Sequence, residues 1–329
     1  MTTNSCESTD SWRNAVESKF RWFINGIRRR GALLRLTLHR RMVLGQLVIS
    51  ARKSRSIVGD APAVVCLTSY GDRIKNVHYT ILTIANGVSR PKRIILWISH
   101  SDANLVTPAL RFLQRRGLEI SLSEDYGSHK KYYPYCASLS ATQFAEFPLV
   151  TADDDVLYQR TWLRDLVDAA NVEPFPVIVA HRTHRMKLEQ GAIAPYLSWD
   201  LECGTVRPSY ANVATGVGGI LYPPEFAVEV GQAWTTEFMQ AAPTTDDLWL
   251  HSRAILLQVP TKQVNPMSAR VVEHHPGIPR LMDLNVAGGN NDVTIRQIYS
   301  SEMISIIRMA IDSADELRAS EGSNISPQI

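Results

Sequence analysis

Between residues 60 and 155, short apolar runs alternate with stretches in which apolar residues recur every three or four positions. The runs at 63–67, 93–98, 118–122 and 148–151 are too short for helices and read as buried strands. Segments 74–86, 105–116 and 139–144 carry helical spacing and fall between them. Buried strands separated by amphipathic helices predict an α/β fold: a mostly parallel, Rossmann-like central sheet with helices on both faces. Beyond Asp155 the rhythm loosens. A strand is expected at 177–180, a glycine-rich stretch at 215–222 ending in Pro223-Pro224, a strong helix at 247–257 and a C-terminal helix at 293–314. Residues 316–329 read as a disordered tail.

The first 60 residues follow a different pattern. Phe20, Phe23, Ile24 and Ile27 share one helical face, continued by Leu34, Leu38 and Met42. Seven arginines (21, 28, 29, 30, 35, 40 and 41) interleave with them, and Gly26 and Gly31 interrupt the helix. Such a basic amphipathic arm can lie in an anionic membrane surface through residues 20–55, or pack on protein with its arginines solvated. The small residues 58–62 set it off, so the expected organisation is an arm at 1–60, one domain at 61–315 and the tail.

Charge sharpens that division. The chain of 329 residues carries +3 overall, but residues 1–60 hold +8 and the remainder −5. A basic arm on a mildly acidic body argues against nucleic acid as partner and for one localised anionic contact. No apolar run approaches the roughly 20 residues that span a bilayer, and no apolar signal-peptide core opens the chain. The four cysteines (6, 66, 136 and 203) form no CxxC pair, which excludes a zinc ribbon and argues against a disulfide scaffold. A cytoplasmic protein is expected, peripheral on the inner face of the membrane if the arm binds lipid.

Ligands of parallel sheets bind beyond the carboxyl ends of the strands, so the polar residues there are the candidates for chemistry. After the strand at 148–151 come Asp153, Asp154 and Asp155. Three adjacent carboxylates repel one another, and a hard divalent cation completed by substrate phosphates would relieve them; a solvated turn or helix cap is the plainer alternative. The first strand ends in Thr68-Ser69-Tyr70-Gly71-Asp72-Arg73, with Tyr70 suited to stacking and Arg73 to phosphate. The third runs into Asp125, which could accept from a base N–H, and into Lys130 and Lys131, which could neutralise a diphosphate. In His181-Arg182-Thr183-His184-Arg185 the arginines would repel a metal, which favours hydrogen-bonding and anion contacts. Gly218 and Gly219 would let backbone approach a ligand closely, or simply form a tight bend. Asp246-Asp247 at a helix start is ordinary capping chemistry and also a rigid seat for a general base. His274 and His275 read as core or surface histidines.

These motifs, in this order, resemble GT-A nucleotide-sugar glycosyltransferases, specifically a bacterial subgroup of the family 2-like type often found with polysaccharide synthesis. The resemblance runs over about residues 62–300: Val64 to Tyr70 with Arg73, Pro91 to Trp97, Lys130-Lys131, Thr151 to Asp155, and His181 to Arg185. It continues through Pro195-Tyr196 with Trp199, Thr215 to Pro224, Asp246-Asp247-x-Trp249 and Asn291-Asp292. It implies a DxD motif in which Asp153 and Asp155 hold Mn²⁺ or Mg²⁺, and donor contacts from Thr68, Ser69, Tyr70, Arg73, Asp125, Lys130, Lys131, Asp153, Asp154, Gly218 and Gly219. Arg182, His184, Arg185 and Trp249 would face the acceptor or a phosphate, and Asp247 would be the base of an inverting hexosyl transfer. The usual Glu-Asp there is Asp-Asp in this chain. The implied partners are a nucleotide-sugar donor, UDP-linked, and a glycan or lipid-linked acceptor. The alternatives are a catalytically silent membrane-associated scaffold of the same fold, a sugar nucleotidyltransferase, whose usual glycine-rich first loop is missing, and a metal-dependent phosphodiesterase or nuclease, for which no second set of metal ligands is seen.

Overall fold

The computed structural model describes residues 45, 56–139, 146–234, 236–268, 272, 274 and 283–323. The basic arm up to residue 55, most of the expected helix at 139–144, His275 and the last six residues lie outside that set, Gly45 apart.

The α/β architecture is as expected. Seven strands form the main sheet: β1 (Ala61–Thr68), β2 (Pro91–Ser99), β3 (Leu118–Ser123), β4 (Leu149–Ala152), β5 (Ile178–Ala180), β10 (Ile220–Tyr222) and β11 (Thr261–Gln263). Their spatial order is β11-β5-β10-β4-β1-β2-β3. All pairings are parallel except those of β10, which runs antiparallel to β4 and β5. Two small antiparallel ribbons, β6 (Thr183–Arg185) with β9 (Asn212–Ala214) and β7 (Leu188–Glu189) with β8 (Ala192–Ile193), flank it.

The inner strands β1, β4, β5 and β10 are largely apolar because both faces are covered, while the edge strands β3 and β11 carry polar residues. Val64, Cys66, Ile95, Leu149, Ile220 and Tyr222 enter one core with Phe226, Val230, Leu248 and Ile255. The alternate residues Val65, Leu67, Ile94, Leu96 and Val150 are equally buried. Helices α1 (Val77–Ala85), α2 (Pro108–Gln114) and α3 (Tyr133–Ser138) fall between the first four strands, and α4 (Trp162–Asn171) follows β4. Local chemistry sets their ends: Thr107 Oγ1 accepts from Leu110 N at 3.3 Å and Pro108 occupies the first turn of α2. Next come α5 (Pro224–Ala233), α6 (Phe238–Ala241) and α7 (Asp246–Leu256).

Three expectations change. The segment expected as a single helix at 293–314 is two, α8 (Asn290–Ile298) and α9 (Ser301–Ser323). Extended backbone at Tyr299 separates them and turns the phenol into the core, 2.7 Å from His251 Nδ1. Helix α9 continues to Ser323, so the tail expected at 316 is helical to that point. Finally, residues 56–60 belong to the body: Ile57 is buried, its N–H donates to Arg116 O, and Gly59 N–H donates to Pro91 O. Among the described residues no helix is long and apolar enough to cross a membrane.

Candidate active site

From β1 the chain builds outward to β2 and β3, then returns to place β4 on the other side of β1. That reversal is a topological switch point, and parallel sheets hold their ligands in the crevice beyond the carboxyl ends of such strands, here β1 and β4. Ser69, Tyr70 and Arg73 follow one strand and the Asp triplet follows the other.

The three aspartates divide the work. Asp154 turns inward: Ser69 Oγ donates to its Oδ2 at 2.6 Å, and Arg73 Nε reaches its two oxygens at 3.1 and 3.0 Å. Arg73 also lies 2.9 Å from Asp155 Oδ2. Ser69, Arg73 and Asp154, expected as donor contacts, thus brace the acidic turn. Thr80 Oγ1 adds bonds to the carbonyls of Asp154 and Val156 at 3.0 and 2.8 Å. Asp153 faces the other way, its N–H donated to Tyr158 Oη at 2.9 Å and its Oδ1 3.2 Å from Lys131 Nζ.

Lys131 ends a turn, Gly127–Lys131, whose last three residues are buried, and its ammonium also lies 2.7 Å from Asp246 Oδ2. Asp246 and Asp247 open α7. Asp247 Oδ2 accepts from Gly216 N–H at 2.9 Å, while its Oδ1 is buried without a hydrogen-bond partner. A methyl group on Gly216 would sit 2.8 Å from Lys131 Nζ and 3.4 Å from both Asp153 Oδ1 and Asp247 Oδ1. Residues from β4, the turn before α3, the segment before β10 and the start of α7 therefore meet around one Cα.

The charges there do not cancel. Burial opposes the charge on Lys131, but Asp153, Asp246 and Asp247 hold its pKa well above the usual value. Burial likewise opposes ionisation of Asp246, and Lys131 nonetheless keeps it low. Asp247 goes the other way, pushed up to about 7 by burial and then by Asp246. Asp155 rises to about 6 through burial and the neighbouring Asp153 and Asp154, against the pull of Arg73. Five aspartates share one lysine and one arginine, and the surplus is negative.

That surplus is the test for the implied divalent ion. Asp153 and Asp155 each commit one oxygen to a protein cation and keep the other. Hard oxygen donors in an over-negative site fit Mg²⁺ or Mn²⁺. Among the described residues no group of three or more His, Cys, Asp and Glu is arranged to hold a metal, so such an ion would need substrate oxygens to complete its shell.

No family model matches the chain, and no curated protein matches it. Solved structures do show likeness. One is a mannosyltransferase from Pyrobaculum calidifontis in complex with GDP-Man and Mn²⁺, at 12% identity and TM-score 0.47 over 89% of this chain and 87% of that one. Residues 1–349 of S. aureus TarS align at 12% identity and TM-score 0.40, over 63% of this chain and 58% of theirs. A 4-diphosphocytidyl-2C-methyl-D-erythritol synthase from Anaerococcus prevotii aligns at 12% and 0.41, over 72% and 98%.

The other expected residues scatter. Tyr70 is 55% exposed at the crevice mouth, with the Arg73 guanidinium 5.6 Å from its ring centre. Thr68 Oγ1 is spent on Trp97 O. Lys130 is buried and gives its ammonium to Ser99 Oγ at 2.5 Å and Asp125 Oδ1 at 2.8 Å, so these two expected donor contacts satisfy each other. Gly218 and Gly219 serve packing: Trp162 Nε1 donates to Gly218 O, and a Cβ on Gly219, at φ +88, would strike the Trp162 ring at 2.5 Å. Trp249, expected at the acceptor or a phosphate, is buried in the core beside Phe238 with the Arg253 guanidinium 4.2 Å from its ring. His184 is buried and neutral, accepting Glu202 N–H at 2.9 Å. His274 is buried against Tyr79 and Thr80.

Arg182 stays by the site, its Nε 2.7 Å from Thr215 Oγ1. Tyr196 joins it: burial and Asp247 raise its phenol to about 12 against the pull of Arg182, and Asp292 accepts its N–H at 2.8 Å. Sequence reasoning missed Gly216 and Asp246 as members of the cluster. The glycine run at 216–219 was the only signal for the first, and nothing in an Asp-Asp pair tells which carboxylate turns to the lysine.

Proposed function

We propose that this protein is a divalent-cation-dependent glycosyltransferase that moves a sugar from a nucleoside-diphosphate donor, UDP-linked, to a hydroxyl of a glycan or lipid-linked acceptor. The observation that carries the reading is the meeting of Lys131, Asp153 and Asp247 around Gly216 beside the β1–β4 crevice. In this reading Asp153 and Asp155 hold Mn²⁺ or Mg²⁺ together with the donor diphosphate, and Tyr70 offers a face to the base. Bound there, the ion supplies positive charge to the departing nucleoside diphosphate. Asp247 takes the acceptor proton on Oδ1, the oxygen left without a partner, while Gly216 N–H holds Oδ2 in place. A carboxylate raised to about 7 is a stronger base than a solvated one and is still substantially ionised at neutral pH. Attack opposite the leaving group then inverts the anomeric centre. Arg182 and Tyr196 would line the acceptor side, and the basic arm would hold the enzyme at an anionic membrane on the cytoplasmic side.

Thermal shift with UDP, GDP, CDP, ADP and dTDP, each with and without Mn²⁺, tests this. UDP should stabilise the protein by several degrees only when Mn²⁺ is present, and Asp155→Asn should abolish the shift while keeping the melting curve. A flat panel for the wild-type protein, or an undiminished shift in the variant, overturns the reading.

A further inference from the structure

A cavity of about 980 Å³ lies away from the aspartate cluster, beside the β11 edge of the sheet. Phe175 and Pro176 lead into β5, and Leu257 to Pro260 lead into β11, so these walls stand at the amino ends of strands whose carboxyl ends face the candidate active site. The segment 203–210 covers the cavity along β11, bonded through Gln263 N–H to Thr205 O and through Ser209 to Thr261. Helix α9 closes it with Ala310, Ser313 and Ala314.

Arg185 belongs to this wall, 6% exposed, and its Nη2 is buried without a hydrogen-bond partner. A guanidinium taken out of water with an unsatisfied donor is costly, and an anion bound against that guanidinium from the cavity would lower the cost. Among the described residues two arginines and no carboxylate line the cavity, and the rest of its wall is largely apolar, with Phe175, Val206, Pro208, Leu257 and Val259. Its volume is that of a small-molecule site.

We infer that this cavity is a second binding site, separate from the nucleotide crevice, for a small amphiphilic anion: a phosphate or carboxylate held by Arg185 and carried on an apolar body that fills the space beside α9. Arg185, expected from sequence to touch the acceptor or a phosphate of the reaction, serves this site.

Octyl phosphate below its micelle concentration is the probe, titrated calorimetrically into the full chain, with inorganic phosphate and octyl glucoside supplying head and tail separately. Octyl phosphate should bind at least tenfold tighter than either. Arg185→Met should weaken it at least tenfold without lowering the melting temperature, because the charge removed lacks its full set of partners. Ala310→Trp, which fills the cavity from the helix side, should abolish binding while sparing any nucleotide-induced shift. Equal affinity for octyl glucoside would overturn the anion site, as would unchanged binding in Arg185→Met. If that variant fails to fold, persistence of octyl phosphate binding in Ala310→Trp decides against the proposal.

Discussion

Replacing Asp247 by asparagine should make the protein more stable, and increasingly so as pH rises. Its carboxyl is pushed from the usual 3.8 to about 7, first by burial and then by Asp246. Between those two values the unfolded chain has lost the proton and the folded one retains it. Wild-type stability must therefore fall as pH climbs through that window and level off above it. A gap of about three pH units, at about 1.36 kcal/mol each, sets a ceiling of roughly 4 kcal/mol. Asparagine can still accept Gly216 N–H through its own oxygen, so the backbone bond at 2.9 Å survives. The variant should lie close to wild type near pH 4, exceed it by about 1–2 kcal/mol at pH 5, and exceed it by about 2–4 kcal/mol at pH 8. Asp155, raised to about 6, adds the same slope to both proteins and drops out of the difference. Urea unfolding at several pH values in chelator-treated buffer measures it. A variant less stable than wild type at pH 8, or a difference that does not change between pH 5 and 8, refutes the claim that Asp247 is held in an environment hostile to its charge.

Three other substitutions separate site from scaffold. Gly216→Ala places a methyl 2.8 Å from Lys131 Nζ, the movable end of a long side chain; melting should change by a few degrees at most while nucleotide affinity falls at least tenfold. Gly219→Ala instead drives a methyl into the Trp162 ring at φ +88, and should cost about 3 kcal/mol in chemical denaturation. Ser69→Ala removes the 2.6 Å bond to Asp154 but leaves Arg73 in place, so a loss of about 1–2 kcal/mol is expected. A loss below about 0.3 kcal/mol would show that Arg73 alone holds the acidic turn.

Much of the fold can be read along the chain because its first half is regular. Strands β1, β2 and β4 hold short apolar runs flanked by polar residues, as burial on both faces requires, and the edge strand β3 alternates apolar with polar residues. The carboxyl-end rule then directs attention to Ser69, Tyr70 and the Asp triplet before any coordinate is known. Strands β10 and β11, three residues each, are too short to show a period, so the antiparallel strand that brings Gly216 into the site leaves no trace beyond its glycines. The break at Tyr299 is equally silent, since a single extended residue between two helical patterns does not disturb their spacing.

What the sequence determines here is the set of chemical groups and the edges on which they stand: an acidic turn after a buried strand, lysines after another, a carboxylate pair at a helix start. Which of those groups face one another was decided only in three dimensions. Lys130 and Lys131 are neighbours in the chain, yet one is spent on Ser99 and Asp125 while the other gathers Asp153 and Asp246. Asp153, Asp154 and Asp155 are likewise consecutive, and backbone direction alone sends the middle one to Arg73 and the first to Lys131. A residue's type fixes what it can bond, but the choice among partners follows from packing, because each buried charge must find its counter-charge within a few ångströms or be neutralised, a carboxylate by keeping its proton and an ammonium by losing one. Asp247 found too little, and its pKa of about 7 is the consequence.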